Sequence, residues 1–475
     1  MPIKLFNTAS RKVETFQPLN KKYVSMYSCG ITAYYYTHIG HLYTYTTSDL
    51  LRRVLEYAGY DIRHVMNVTD VGHMTSDADE GEDKLIVGAK KENKTPAEIA
   101  RFYEKCFWEE TVKMNILKPN TICRATEHIS DMLHLIEQLE KNGYTYKTSV
   151  GVIFDTAKFA AYPNFAKLNL AKQEAGARVK IDKERKNPWD FALWVTNQPN
   201  HLMQWDSKWG KGFPGWHIEC SAMSMRYLGE TLDIHTGGID HIPVHHTNEI
   251  AQSECATGKK FVNYWTHTAF LNVDNTKMSK SLGNLYTLQD LAGKDFVPLA
   301  LRYFFLGTSY RKPINFTWEA LNAAQTALVK LWKHCLELPA PACEVLAPYI
   351  KNFEEAIYDD LNMAKALAVV WKLLESKEDA SKKAATLFHM DKVFGLDLAN
   401  ARTQLSNLEN LKKENLISKD KKYLEKEFKA LKLIEHRYLL KQQKKYQEAD
   451  AIRDQIKKLG FSIEDSKDGT ILKPI

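Results

Sequence analysis

Three groups of residues in this chain could do chemistry. His38-Ile39-Gly40-His41 sets two imidazoles around a residue with no side chain. Imidazole N–H groups can donate to a phosphate, and a glycine lets a nucleotide come close to the backbone. Far downstream, Lys277-Met278-Ser279-Lys280-Ser281 is a second short polar motif, with two lysines. The third group is scattered: Cys29, Cys220, His245 and Glu249 offer the thiolate, imidazole and carboxylate donors that Zn²⁺ accepts. Spacing supports only part of it. His245 and Glu249 are four apart and share one face of a helix. His246 has Ile250 at that spacing, so it gains no second ligand, and Pro243 separates His241 from His245. Taken singly, each group also fits an ordinary reading: histidines at a turn, a solvated basic loop, two buried thiols with a surface helix.

The surrounding elements decide whether these residues can meet. Tyr23 to Cys29 is an apolar, β-prone run that Gly30 should end. Leu42 to Ala58 reads as a helix stopped by Gly59. The two histidines would then sit where a helix N-terminus points its N–H groups at an anion. Asp61 to Val68 reads as a second strand ending at Thr69-Asp70, which makes a βαβ unit of a parallel sheet. Ligands of such sheets bind beyond the carboxyl ends of the strands. Leu232 to His235 reads as a short strand closing on Thr236 to Asp240, and Pro243 can open the helix that carries His245 and Glu249. Asp77 to Asp83 reads as a solvated acidic loop. Residues 120–200 look like an insertion, with a small β unit at Val150 to Phe154 and a basic polar stretch from Lys172 to Lys186. Beyond about residue 300 the pattern turns helical. Leu321 to Leu338 and Ala364 to Leu374 are separated by Pro339-Ala340-Pro341, and a terminal hairpin closes the chain.

The chain has 475 residues and a formal net charge of +7. Residues 401–475 hold roughly 18 Lys and Arg against 12 Asp and Glu, a balance that suits a polyanionic partner. No apolar run approaches the length of a membrane span and the first residues lack a signal-peptide core, so a cytoplasmic protein without membrane contact is expected. The 7 cysteines are irregularly spaced and odd in number, which points to reduced thiols rather than a disulfide framework.

His38-Ile39-Gly40-His41 followed by Lys277-Met278-Ser279-Lys280-Ser281 resembles the class I aminoacyl-tRNA synthetases. Tyr27 to Thr32, Gly215 to Met223 and His245 to Gln252 look like cysteinyl-tRNA synthetase. The likeness runs on through Asp360-Leu361-Asn362 and Ala449 to Asp454. The family implies an α/β fold with a Rossmann-like parallel-sheet catalytic domain in two halves, 1–119 and 201–300. An inserted α/β subdomain at 120–200 divides them. A helical bundle at 301–405 and a basic anticodon-binding region at 406–475 follow. It implies one Zn²⁺ on Cys29, Cys220, His245 and Glu249, and ATP with Mg²⁺ as substrate. His38, His41, Lys277 and Lys280 would serve catalysis, with Gly40, Gly238 and Asp240 beside the nucleotide. Gly30, Thr69 and Trp216 would wall the L-cysteine, and tRNA(Cys) would be the partner of a monomer. The stretch from Val71 to Lys84 lacks an acidic pair frequent in the family, and the last strand lacks a tryptophan. A ligase joining cysteine to an amino sugar in mycothiol synthesis shares both ATP motifs and the zinc set, but has no use for the basic tail. An RNA-binding protein on the same scaffold would not need His38, His41, Lys277 and Lys280.

Overall fold

A computed structural model of the chain describes residues 1–71, 95–168, 184–199, 201–279, 282–466 and 469–475. A hairpin of β1 (Lys4–Asn7) and β2 (Lys12–Thr15) opens it. In chain order β3 (Tyr23–Thr32), β4 (Asp61–Thr69) and β5 (Thr121–Arg124) follow. Next come β6 (Thr145–Thr148), β7 (Gly151–Phe154), β8 (Phe191–Thr196) and β9 (Gly212–Pro214), then β10 (Leu232–Gly238) and β11 (Val262–Thr268). Five of these form one parallel sheet in the order β11-β10-β3-β4-β5. Strands β6 to β9 form a separate antiparallel sheet in sequence order.

Helices α1 (Ile39–Tyr57), α2 (Pro96–Lys113), α3 (Ile129–Lys141), α4 (Trp216–Leu228) and α5 (Thr247–Thr257) connect and cover the sheets. The inner strands are buried along most of their length because both faces are covered. Every residue of β10 is buried. Strand β3 lies between β4 and β10, so the chain leaves it in both directions. That is the switch point at which a doubly wound sheet opens a crevice beyond its carboxyl ends.

Two boundaries differ from the sequence reading. Gly30 does not end its strand: β3 continues to Thr32, with an irregularity in pairing between Ser28 and Ile31. A Cβ at Gly30 would stand 1.7 Å from the Asn67 carbonyl oxygen, so glycine serves close strand approach there rather than termination. Residues 121–124, assigned from sequence to the insertion, pair in parallel with β4 and extend the central sheet. Four residues are too few to show an alternation of their own.

Residues 1–291 and 296–402 make one compact unit; residues 292–295 and 403–475 make a second. In the first unit a buried ionic knot ties α1 to the helices that follow the sheet. Asp49 Oδ2 accepts from Arg302 at 2.5 Å and from Arg53 at 2.8 Å, and Asp49 Oδ1 accepts the Leu117 N–H. The two guanidiniums also donate to carbonyls where α2 and the helix Ala380–Phe394 end, at Met114, Asn115, Lys392 and Phe394. Cations belong at helix C-termini, where the last carbonyls lack partners. In the second unit Ala430, Leu440, Ala449, Ile452, Ile456, Phe461 and Ile463 form a small core. It joins the helices Ala401–Gln442 and Tyr446–Lys458 to an antiparallel hairpin of Phe461–Ser466 and Gly469–Pro474.

Candidate active site and metal centre

The crevice at the switch point is a cleft of about 410 Å³. Cys29 and Gly30 from β3, Thr69 at the end of β4, Trp216 and Cys220 from α4, and His245 line one end. His38, Gly40, His41, Gly238, Asp240, Lys277 and Met278 line the other. A wider depression of about 1070 Å³ lies beside α2, but among the described residues its lining holds none of either motif.

The histidine motif starts α1. His38 is the N-cap, and its Nδ1 accepts the N–H groups of Gly40 at 3.2 Å and His41 at 3.3 Å. The Ile39 N–H goes to the Tyr286 carbonyl. The first amide donors of α1 therefore have partners within the protein, and are not left open to an anion as the sequence suggests. Because His38 Nδ1 accepts, the proton of the neutral ring sits on Nε2, a donor suited to a phosphate. The His41 ring stacks on His38 with centroids 3.6 Å apart. The cleft walls and the adjacent imidazoles of His38 and His241 hold His41 below the ordinary histidine range, although its ring opens to the cavity.

The lysine motif meets this helix. A Cβ on Gly40 would lie 2.4 Å from the Met278 methyl carbon, so the two motifs are in contact through a residue that has to be small. Lys277 is exposed at the rim, with its ammonium 5.7 Å from the centre of the Phe270 ring. Lys280 and Ser281 lie outside the described residues, as do residues 72–94, which include most of the Val71 to Lys84 stretch. Gly238 ends β10, and Asp240 follows in a tight turn with an exposed carboxylate. A Cβ at 238 would sit 2.2 Å from Asp240 Oδ1.

At the other end, Cys29, Cys220, His245 and Glu249 converge. One ligand atom from each lies within 4.8 Å of all the others, and all four residues are buried. His245 Nε2 is 3.1 Å from Glu249 Oε1, and Cys29 Sγ is 4.0 Å from the same oxygen. Outer partners aim these groups. His217 Nδ1 lies 2.8 Å from His245 Nδ1, which turns His245 Nε2 inward. His235 Nε2 lies 2.9 Å from Glu249 Oε2, which leaves Oε1 for the cluster. Burial pushes the Cys29 thiol well up, with Cys220 and Glu249 adding to it. The contact with Cys29 draws the Cys220 thiol down, but burial and the Glu249 carboxylate outweigh it and leave Cys220 raised. A divalent cation among these groups reverses that preference and favours thiolate. Separations of this size suit a tetrahedral ion with ligand bonds of about 2.0–2.3 Å.

Sequence spacing missed two residues here. His246 Nε2 stands 3.3 Å from Cys29 Sγ and 3.8 Å from Glu249 Oε1. With Cys29, His235 and Glu249 it completes a second, overlapping set of donors. His246 precedes Glu249 by three residues, a spacing that also shares a helix face, so a rule of four alone overlooks it. A wide π-type turn over Ile242–His246 leads into α5. His267 Nε2 in turn contacts His246 Nδ1 at 2.7 Å.

Residues 15–326 match the family model described as tRNA synthetases class I (C) catalytic domain. A cysteine--tRNA ligase of Treponema denticola is 43% identical over 503 residues, covering 100% of this chain and 100% of its own. One from Burkholderia lata is 43% identical over 472 residues, covering 99% and 96%. Among solved structures, a Mycobacterium tuberculosis methionyl-tRNA synthetase in complex with methionyl-adenylate superposes with a TM-score of 0.53 at 17% identity. It covers 79% of this chain and 90% of its own, which speaks to the fold. The chain belongs to the class I tRNA synthetases, in the branch of the cysteine--tRNA ligases.

Proposed function

We propose that this chain activates L-cysteine with ATP and transfers it to the 3′ end of tRNA(Cys). The observation that carries this reading is the joining of two ends in one cleft. One end has both ATP motifs; the other has four buried donors fit for zinc. The cysteine carboxylate attacks the α-phosphorus of ATP, pyrophosphate leaves, and cysteinyl-adenylate forms. A hydroxyl of the terminal ribose then attacks the acyl carbon and AMP leaves. The carboxylate is ionised at neutral pH, so the first step needs positioning and charge stabilisation rather than a base.

His38 and His41 donate to the phosphates, and Lys277 and Lys280 hold the β and γ groups of ATP, which arrives with Mg²⁺. Gly40 and Gly238 leave room for the nucleotide, and Asp240 accepts from ribose hydroxyls. Gly30, Thr69 and Trp216 wall the amino acid. Cys29, Cys220, His245 and Glu249 hold one zinc, which supplies a soft Lewis acid that binds a thiolate in preference to a neutral hydroxyl. A purely apolar pocket separates near-isosteres by only about two powers of ten, so this preference removes the need for a separate editing site against serine.

In this reading residues 1–124 and 201–300 catalyse, the insertion begins after β5 and runs to residue 200, 301–405 are a helical bundle, and 406–475 read the anticodon. The basic second unit favours tRNA over an amino sugar as acceptor. The test is charging of tRNA(Cys) by the zinc-loaded chain. Cysteine-dependent pyrophosphate exchange without charging would instead favour a small-molecule acceptor.

A further inference from the structure

The polar groups behind the amino-acid wall are joined in one direction. The Gly30 N–H donates to Asn67 Oδ1 at 2.8 Å. A backbone N–H can only donate, so this bond decides which way the Asn67 amide faces. Asn67 Nδ2 is thereby turned to Thr69 and donates to its Oγ1 at 3.2 Å. Thr69 passes its own hydroxyl proton to Glu219 Oε2 at 2.8 Å. Glu219 is 0% exposed, Thr69 2% and Asn67 3%, so water does not scramble the order.

A hydroxyl has one proton and two lone pairs. On Thr69 the proton is committed to Glu219 and one lone pair to Asn67. What Thr69 retains for an occupant of the cleft is a single lone pair, an acceptor. A carboxylate placed there would meet lone pair with lone pair; an ammonium brings N–H donors. We propose that Glu219 is a positioning residue: by holding the Thr69 hydroxyl proton, it makes this wall select the ammonium end of the amino acid. The carboxylate is thereby left to face the His38–His41 end, where the α-phosphorus must lie. The negative charge of the buried Glu219 works in the same sense on a nearby cation. The inference rests on the reading of the cleft as a cysteine and ATP site. Nothing in the spacing of Asn67, Thr69 and Glu219 marks them as a unit; only the packing of α4 against β4 brings them together.

Cysteine-dependent ATP–pyrophosphate exchange by the zinc-loaded full chain tests it. Two thiols serve as probes: cysteamine keeps the ammonium and lacks the carboxylate, and 3-mercaptopropionate is the reverse. In the unaltered protein, cysteamine should compete with cysteine about tenfold more tightly or better, the worth of one well-made charged hydrogen bond. This arm needs no variant and so does not depend on one folding. In Glu219→Gln, the KM for cysteine should rise about tenfold, and the advantage of cysteamine should shrink to within about threefold. The KM for ATP and the zinc content should change by less than about twofold. Thr69→Val should show the same loss, and the double variant should be no worse than Thr69→Val alone, because the carboxylate acts through the hydroxyl. Equal competition by both thiols, or a double variant whose KM reflects the product of the two single effects, overturns the inference and leaves cysteine activation standing. Absence of cysteine-dependent exchange in the unaltered protein overturns the reading of the site beneath it as well.

Discussion

Met278 rests on Gly40: its methyl carbon occupies the place a Cβ at residue 40 would need, at 2.4 Å. One motif thus touches the other through an atom that a larger residue would displace. Gly40→Ala should leave stability within about 1 kcal/mol, since the far end of a methionine can move. It should cut kcat/KM for ATP by about 10²-fold by shifting the loop over the nucleotide. The KM for cysteine should hold. Adding Met278→Ala should recover part of the loss. Steady-state exchange kinetics on the two variants decide the matter, and a double variant no better than Gly40→Ala would count against contact through Met278.

Removal of the metal should be visible as loss of both activity and stability. One zinc per chain is expected by elemental analysis. Chelation should lower Tm and reduce cysteine activation at least about tenfold, with recovery on adding zinc. Cys220→Ser should not hold the ion at the same chelator concentration. His217→Asn, which removes the group aiming His245, should weaken zinc binding by about 10- to 100-fold while leaving the four ligands in place. Retention of full affinity in that variant would show that His245 needs no outer partner.

The Asp49–Arg302 pair should be costly to break from one side. Both side chains are 0% exposed, and Arg302 also closes two helix ends. Arg302→Leu leaves the buried Asp49 carboxylate with Arg53 and opens two helix ends, and should cost about 3–5 kcal/mol in urea unfolding. Gly395→Ala acts on the same knot: a Cβ there would stand 2.8 Å from Arg302 Nη2, at a φ of +63° that alanine disfavours. Its cost should be about 1–3 kcal/mol. A loss of less than about 1 kcal/mol for Arg302→Leu would mean the knot contributes nothing net.

Acid should destabilise the fold through its buried imidazoles. Burial pushes His64 down to about 3, and the nearby Arg52 charge adds to the shift. The unfolded chain binds that proton with a pKa of about 6.5. The contribution is therefore fully present above about pH 6.5 and is lost as pH falls from there toward about 3, by up to about 1.4 kcal/mol per unit. Burial shifts His246 and His267 in the same direction. Urea midpoints at pH 7, 6 and 5 should fall in that order. His64→Gln, which can still bond Ser28, should show a shallower slope by about one proton. Parallel slopes would show that His64 does not titrate on unfolding.

Most of the site was legible as residue types. Periodicity found α1 and the helices after residue 300, because their apolar faces repeat over several turns, and an apolar, β-branched run found β4. His245 and Glu249 could be paired because one local helix joins them. His246 sits three residues before Glu249, a spacing that shares the same face and that a rule of four overlooks, while His235 reaches Glu249 across from a neighbouring strand. The short β5 escaped because four residues give no period.

By itself the sequence determined which chemical groups the protein owns and the local elements that carry them, since propensity and periodicity act over a few residues. Tertiary structure decided which of these groups meet. The order of the parallel strands sets Cys29 beside a helix that begins about 190 residues later. It also put the capped start of α1 under Met278, and Thr69 against Glu219. Those juxtapositions arise from long-range packing, where the burial of whole faces outweighs any local preference.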